Sequence, residues 1–367
     1  MKVVVLGGGY AGIICALRLA RKGVSVALVN ASDRFVERIR LHEMAVGHPP
    51  RVRAIARFVE GTNVELVIGR AARVEGKLVQ LEDGRELAFD HLVLALGSRP
   101  ERRAGTVSLD GVRRAESVLV VGGGLTGIET ASEIAEAWPD TCVTLVTRGA
   151  VGAGFTEPAR AHVRRAFARA HIELRENTDY ETVASDFELT IWAGGFVGAE
   201  LPAGLDVKTS SRGQVLVEPT LRALGTDAAV WVCGDLAAQA SPPPVPIPMG
   251  CKAAGPSAAR VADNILAIEA GNAPRPFDFV APGYCVSLGR RDGFVELSSG
   301  KLVTGRIAAW IKELVCKATL WAFALERWGA ASYGYFERGN VRELDGSRDG
   351  RDLPAGPVPA SGVGSAS

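Results

Sequence analysis

The chain lacks several features that would place it in a class at sight. It has no excess of charge: 42 Lys and Arg stand against 41 Asp and Glu, a formal net charge of +1 over 367 residues. No global field therefore draws it toward nucleic acid or another strongly acidic partner. Its six cysteines, at 15, 142, 233, 251, 285 and 316, include no C-x-x-C pair and no zinc-ligand spacing. That argues against a disulfide framework, a redox-active thiol pair and a structural metal. We expect them to be reduced and mostly buried, as in a cytosolic protein. No stretch reaches the ~18 uninterrupted apolar residues of a membrane span. The start, MKVVVLGGGYAGIICALRLA, imitates a secretory signal, but its basic end is a single lysine and Arg18 breaks the apolar run.

What the chain has in excess is glycine, 43 of 367 residues, where the usual share of about 7% would give roughly 26. They follow no G-X-Y period, so collagen is excluded and each must be read in place. Residues 3–6 are a continuous apolar, β-branched run, the pattern of a strand buried on both faces. The run flows into Gly7-Gly8-Gly9-Tyr10-Ala11-Gly12, then a helical pattern to residue 20, then a second strand over 24–29 that ends at Asn30. This is a βαβ unit with G-x-G-x-x-G at 7, 9 and 12. Gly7 allows the tight turn, Gly9 lets backbone approach a pyrophosphate, and Gly12 lets helix and strand pack closely. The unit recurs 115 residues later, with a strand over 117–121, glycines at 122, 124 and 127, Ala131 matching Ala16, and a strand over 141–147. One such motif is weak evidence. Two copies, each in strand–turn–helix–strand context, predict two dinucleotide sites. Three further strands end in glycine turns: 92–96 before Gly97, 189–193 before Gly194-Gly195, and 230–233 before Gly234-Asp235.

In this order and spacing the pieces resemble the flavoproteins with two dinucleotide-binding domains. The closer resemblance is to type II NADH dehydrogenase-like proteins and their apoptosis-inducing-factor-like relatives. GGGLTGIE at 122–129 resembles that group's second fingerprint, and YCVSLGRRDG at 284–293 with the helical stretch from 304 resembles its C-terminal region. The resemblance spans roughly residues 1–335. It implies an α/β fold of two doubly wound Rossmann-like domains plus a smaller C-terminal α/β region. The FAD-binding domain would be discontinuous (1–112 and 216–282), with an NAD(P)H-binding domain (113–215) inserted. A C-terminal region (283–340) with an amphipathic helix and a disordered tail (341–367) would follow.

The resemblance also implies FAD as cofactor and NADH or NADPH as co-substrate. Gly7, Gly9, Tyr10, Ala11 and Gly12 would hold the first, with Ala95 and Gly97 at the turn leading to the second domain. Gly234 and Asp235 would lie near ribitol and pyrophosphate. Gly122, Gly124, Gly127 and Gly194 would hold the nicotinamide nucleotide. Three positions depart from the group. Asn30 replaces the usual acid at the adenosine ribose. The second fold reads Thr147-Arg148 at the matching point, where an arginine suits a 2′-phosphate or is merely solvent-facing. The stretch PMGCKAAGP at 248–256 lacks the glutamines of the quinone-reducing members, so Lys252 or Cys251 would face the flavin instead.

Flavin chemistry needs few catalytic side chains, because the cofactor carries the redox step. Glu129, one turn into the second fingerprint helix, would orient the carboxamide or ribose, or else serve as a helix-dipole partner. His42 would contact the ring or donate a proton to the acceptor, or be structural. Lys252 would stabilise an anionic reduced flavin or an acceptor oxyanion, or lie on an exposed turn. Arg40 would neutralise the flavin pyrophosphate, while the arginines at 34, 38, 51, 53 and 57 read as a solvated face. SPPPVPIP at 241–248 reads as a stiff loop at or near the mouth of the site. No metal site is expected.

Residues 304–328 read as one helix, with Ile307, Trp310, Ile311, Leu314, Val315, Ala318, Trp321, Leu325 and Trp328 at three- and four-residue spacing. The stripe suits a docked interdomain or dimer helix ahead of peripheral contact with the inner face of a membrane. The expected function is FAD-dependent NAD(P)H oxidation with electrons passed to a quinone or quinone-like small molecule. Alternatives are reduction of a ferredoxin- or rubredoxin-type carrier, flavin oxidation of an aromatic metabolite, and slow-turnover nucleotide sensing.

Overall fold

The computed structural model of the chain describes residues 1–226, 229–240 and 247–329. Five parallel strands form the first sheet, in the spatial order Val230–Val232, His91–Leu94, Lys2–Leu6, Ser25–Asn30 and Val64–Ile68. The central strand shows why the chain folds this way: Val3, Val4 and Val5 are all fully buried, as a strand covered on both faces must be. One face is covered by the helices Tyr10–Ala20 and Cys251–Glu269, which pack against each other. The chain leaves the central strand at the point where strand order reverses, so the first glycine fingerprint sits at the topological switch point.

The second unit repeats the plan. Its parallel strands run Glu173–Arg175, Cys142–Val146, Ser117–Val121, Leu189–Trp192, and the fingerprint again leaves the central strand at the reversal. The helix Leu125–Ala137 follows. The two chain segments that cross between units, Ser98–Pro100 and Phe196–Gly198, pair as a short antiparallel ladder. Each crossing begins just after a glycine turn, at Gly97 or at Gly194-Gly195.

A three-stranded antiparallel sheet, Gly283–Ser287, Gly293–Leu297 and Leu302–Thr304, packs on the second unit. It leads into the helix Arg306–Trp328, which starts two residues later than the periodicity predicts because Thr304 is spent in the sheet and Gly305 (φ +77°) makes the turn. This helix lies across both units, and the face that docks is not the one marked by the apolar stripe. Ala308, Lys312, Cys316, Ala322, Phe323 and Glu326 are buried. Ile307 and Trp310 are each 66% exposed, Trp321 56% and Trp328 79%. Periodicity alone points to the wrong face because ion pairs carry two charged residues inward, Lys312 with Glu129 and Glu326 with Arg18, while half-exposed Glu313 reaches the buried Arg40. Phe323 completes the contact among Tyr10, Phe35 and Phe58. The cysteines are all free, but only Cys15, Cys233 and Cys316 are fully buried, and Cys142 is exposed. Residues 241–246 of the proline-rich loop and the tail from 330 lie outside the described residues.

Candidate functional site

Each fingerprint is an interlocked pair of glycines around an open third. A β-carbon on Gly12 would stand 1.7 Å from the Gly7 carbonyl oxygen, and one on Gly127 would stand 1.9 Å from that of Gly122. Gly7 and Gly122 are themselves wedged against the carbonyls of Ala95 and Ala193, with φ of +108° and +124°. Helix and strand therefore touch backbone to backbone, and only glycine fits. The middle glycines differ: nothing lies within 4 Å of the point where a side chain on Gly9 or Gly124 would begin. Each opening lies at the N-terminus of a helix of 11 or 13 residues, where unpaired N–H groups and the positive dipole end favour a phosphate. These residues fit a bound dinucleotide at both places.

Around the first cradle, Ala11 is small enough for the Gly234 turn to approach; a β-carbon on Gly234 would meet it at 3.1 Å. Asp235 lies beside it, its carboxylate accepting from the Ser98 hydroxyl at 2.6 Å and the Gly250 amide at 2.7 Å. Asp235 thus ties together the crossing segment and the start of the Cys251–Glu269 helix. Asn30 accepts the Gly8 amide at 2.8 Å and donates to the Ser32 carbonyl. It braces the glycine loop with an amide where a carboxylate is usual. Gly97 sits beside Arg38, which donates to the Ser98 carbonyl at 2.6 Å, so Arg38 is tied to the crossing segment and does not lie on a solvated face.

Two assigned cations have partners that the sequence does not reveal. Arg40 is committed to carboxylates: it grips Glu313 through both terminal nitrogens at 2.9 and 2.6 Å and donates to Glu43 at 2.9 Å. Its partner on the C-terminal helix is distant in sequence, so no local pattern reveals the pairing. The Lys252 ammonium lies 4.1 Å from the centroid of the Tyr284 ring. Burial pulls Lys252 below its ordinary pKa, which suits an ammonium held by a ring face rather than by a carboxylate.

At the second cradle, Thr147 fills the space beside Gly123 and Trp192 packs under Gly194. Arg148 is exposed. Glu129 and His42 do meet, although 87 positions separate them in the chain: the imidazole Nδ1 is 3.4 Å from a Glu129 carboxylate oxygen. The other oxygen accepts from Lys312 Nζ at 2.7 Å and from the amide and hydroxyl of Ser287 at 3.0 and 3.1 Å. Burial by itself would raise the Glu129 carboxyl, but the Lys312 ammonium, His42 and these hydrogen bonds hold it below its ordinary pKa. Burial keeps His42 below its ordinary pKa against the pull of Glu129. Lys312, Ser287, Glu133 and Arg290 are the site residues that sequence reading misses. Glu133 alone left a signal, four residues after Glu129 and so on the same helix face.

Comparison with known proteins places the chain in a family. Over 162 residues, 40% of this chain and 43% of the relative, the sequence is 29% identical to ferroptosis suppressor protein 1 of Xenopus tropicalis. The chain thus spans about two fifths of that relative's length. Similarity to the type II NADH:quinone oxidoreductase of Staphylococcus aureus is lower, 24%, but runs through 86% of this chain and 94% of that protein. Among solved structures, the sulfide:quinone oxidoreductase of Aquifex aeolicus superposes with a TM-score of 0.71 at 18% identity, covering 94% of this chain and 95% of that one. The pattern of one family matches residues 1–262, which include both glycine cradles and the Gly234-Asp235 turn. The chain belongs to the pyridine nucleotide-disulphide oxidoreductase family.

Proposed function

We propose that the protein is an FAD-dependent NAD(P)H oxidoreductase that delivers electrons to a quinone or quinone-like small molecule. The observation that carries this reading is the pair of open glycine cradles in one chain, joined by the paired crossing segments. FAD would be held by the first cradle with Asn30 and the Gly234-Asp235 turn, and the nicotinamide nucleotide by the second with Thr147, Arg148 and Gly194. The bound flavin would supply the redox chemistry, taking a hydride from the nicotinamide and passing electrons onward. The chain's own task is then to align the two and to manage charge and protons around Glu129, His42 and Lys312. The six cysteines are free and none is spaced as a redox pair, which favours a small-molecule acceptor over a disulfide. Among the relatives matched over nearly their full length, one is named a type II NADH:quinone oxidoreductase, which supports this acceptor class.

The purified protein should carry FAD and oxidise NADH or NADPH when menadione is supplied. Arg148→Ala should raise KM for NADPH about tenfold, the loss of one charge-assisted phosphate contact, and leave KM for NADH within twofold. Failure of both nucleotides to reduce the flavin would overturn the assignment.

The outward face of the C-terminal helix supports peripheral membrane contact. Trp310, Trp321 and Trp328 are exposed along it, and a groove of about 480 Å³ beside them is lined by Arg53, Arg57, Lys317 and Arg327 with no carboxylate. Basic residues next to aromatic anchors suit an anionic bilayer surface. No helix among the described residues is long and apolar enough to cross a membrane. Co-sedimentation with vesicles containing an anionic phospholipid should fall at least tenfold in Trp321→Ala/Trp328→Ala. Wild-type protein that stays in the supernatant but elutes as a dimer would assign the same face to self-association.

A further inference from the structure

Reduction of a quinone by a reduced nicotinamide consumes one proton from water. The hydride leaves the nicotinamide C4, and NADH, H⁺ and quinone become NAD⁺ and hydroquinone. That proton must reach the reacting atoms from solvent, and one run of polar groups outside the two nucleotide cradles has the form of such a route. It starts at Arg290, which is 40% exposed in its side chain and whose guanidinium sits 3.0 Å from one oxygen of Glu133 and 3.5 Å from Glu43. Glu133 is only 4% exposed, and its other oxygen stands 4.0 Å from His42 Nε2. Across the ring, His42 Nδ1 faces Glu129 at 3.4 Å, and Glu129 in turn holds Lys312 at 2.7 Å.

A cavity of about 160 Å³ adjoins this run, with His42, Glu133, Ser287, Arg290 and Lys312 among its walls. That is room for several waters, and its polar walls supply the hydrogen-bond partners a water needs to bridge the 4.0 Å step. Two more of its walls, Arg51 and Glu313, are about half exposed in their side chains, so the cavity reaches the surface. At the inner end, the Lys312 ammonium bonds the Cys285 carbonyl. It also lies close enough to Cys251, which begins the helix tied to Asp235, to offset part of the rise that burial imposes on that thiol.

We propose that Glu133 and His42 form the inlet of a proton path from the surface at Arg290 to the Glu129–Lys312 pair, replenishing the solvent proton that quinone reduction consumes. The proposal rests on the oxidoreductase reading above. Glu133 and His42 act through Glu129 and Lys312, so they are positioning residues and not catalytic ones. The groups that set their titration come from every neighbouring element. Burial, with Glu43 and Glu136 on the same side and Arg290 opposing, lifts Glu133 to about 7. His42 is held down by burial, with Lys312 and Arg290 on the same side and Glu129 and Glu43 opposing. Glu133 thus exchanges its proton near neutrality, while the neutral imidazole can take one proton at Nε2 as it gives another from Nδ1.

Ferricyanide provides the control, because its reduction by NADH takes up no proton. The quantity to follow is the ratio of menadione rate to ferricyanide rate in the holoenzyme between pH 6 and 8. In wild type this ratio should fall as pH passes about 7, the point at which Glu133 loses its proton. In Glu133→Gln it should be about tenfold lower at pH 6 and flat; His42→Gln should behave alike, and Glu133→Asp should restore part of the ratio. A readout independent of turnover is the melting temperature. A carboxyl whose pKa is raised in the folded state binds more protons folded than unfolded, so Glu133 should make wild-type stability decline from pH 5 to 8, and Glu133→Gln should make the decline shallower, leaving the part due to Glu326. Equal ratios and equal pH curves in wild type and both glutamine variants would overturn the path and leave the oxidoreductase reading standing. Absence of nucleotide oxidation with both acceptors would overturn the two together.

Discussion

Gly127→Ala is expected to leave a folded, flavin-bearing protein whose reduction by NADH is slowed at least 100-fold. The added methyl would stand 1.9 Å from the Gly122 carbonyl oxygen, and Gly122 cannot retreat because it is already pressed against the Ala193 carbonyl. Both obstacles are backbone at a strand end, so the helix Leu125–Ala137 must move instead. A shift of about 1 Å at its N-terminus withdraws the amides that would hold the pyrophosphate and misplaces the nicotinamide, and misplacement of that size costs on the order of 100-fold. The symmetric change, Gly12→Ala, brings its methyl to 1.7 Å from the Gly7 carbonyl, and the expected loss is of the flavin itself. Flavin content after purification and the rate of flavin bleaching on mixing with NADH distinguish the two. Normal bleaching in Gly127→Ala would mean that the second cradle does not hold the nicotinamide nucleotide.

The second large effect concerns the C-terminal helix. Lys312→Met should lower stability by about 3–5 kcal/mol, because it strands the buried Glu129 carboxylate without its cation. For a chain of this size that is a fall in melting temperature of about 5 °C. Lys312→Met/Glu129→Gln should recover a large part of it, since removing both charges removes the desolvation penalty along with the attraction. The sign with pH follows from the directions of the two shifts. Glu129 lies below its ordinary value of 4.5, so its contribution is present above that value and is lost as pH falls through the depressed one. Lys312 lies above its ordinary 10.5, because the attraction of Glu129 outweighs the effect of burial; its contribution is present below 10.5 and lost only as pH rises beyond the raised value. The gap between wild type and Lys312→Met should therefore be widest from neutral pH upward and narrow as the pH falls and the stranded Glu129 takes up a proton. A gap under about 1 kcal/mol at pH 7, by denaturant titration, would show that the pair contributes little.

The glycine addresses were fully legible in the sequence, because the demand they meet is local. A strand that turns into a helix over a phosphate needs backbone where side chains would collide, and G-x-G-x-x-G states that need within six residues. The same holds for the strands, whose burial on both faces leaves unbroken apolar runs such as 3–6 and 117–121. From these, the two units, their order and the family could be reached from sequence alone. The polar centre could not. Glu129 was visible because it adjoins a fingerprint, but its partners Lys312, Ser287 and His42 come from three other elements, and Arg40 meets Glu313 across 273 positions. The C-terminal helix is the sharpest case. Its apolar period predicts which residues share a face, but not whether that face turns inward. The tertiary structure turned it outward, because the facing surface offered buried carboxylates and guanidinium groups, and Lys312, Glu313 and Glu326 each found an opposite charge there. Periodicity is a property of one element, whereas the choice of face depends on the charges of the surface it meets.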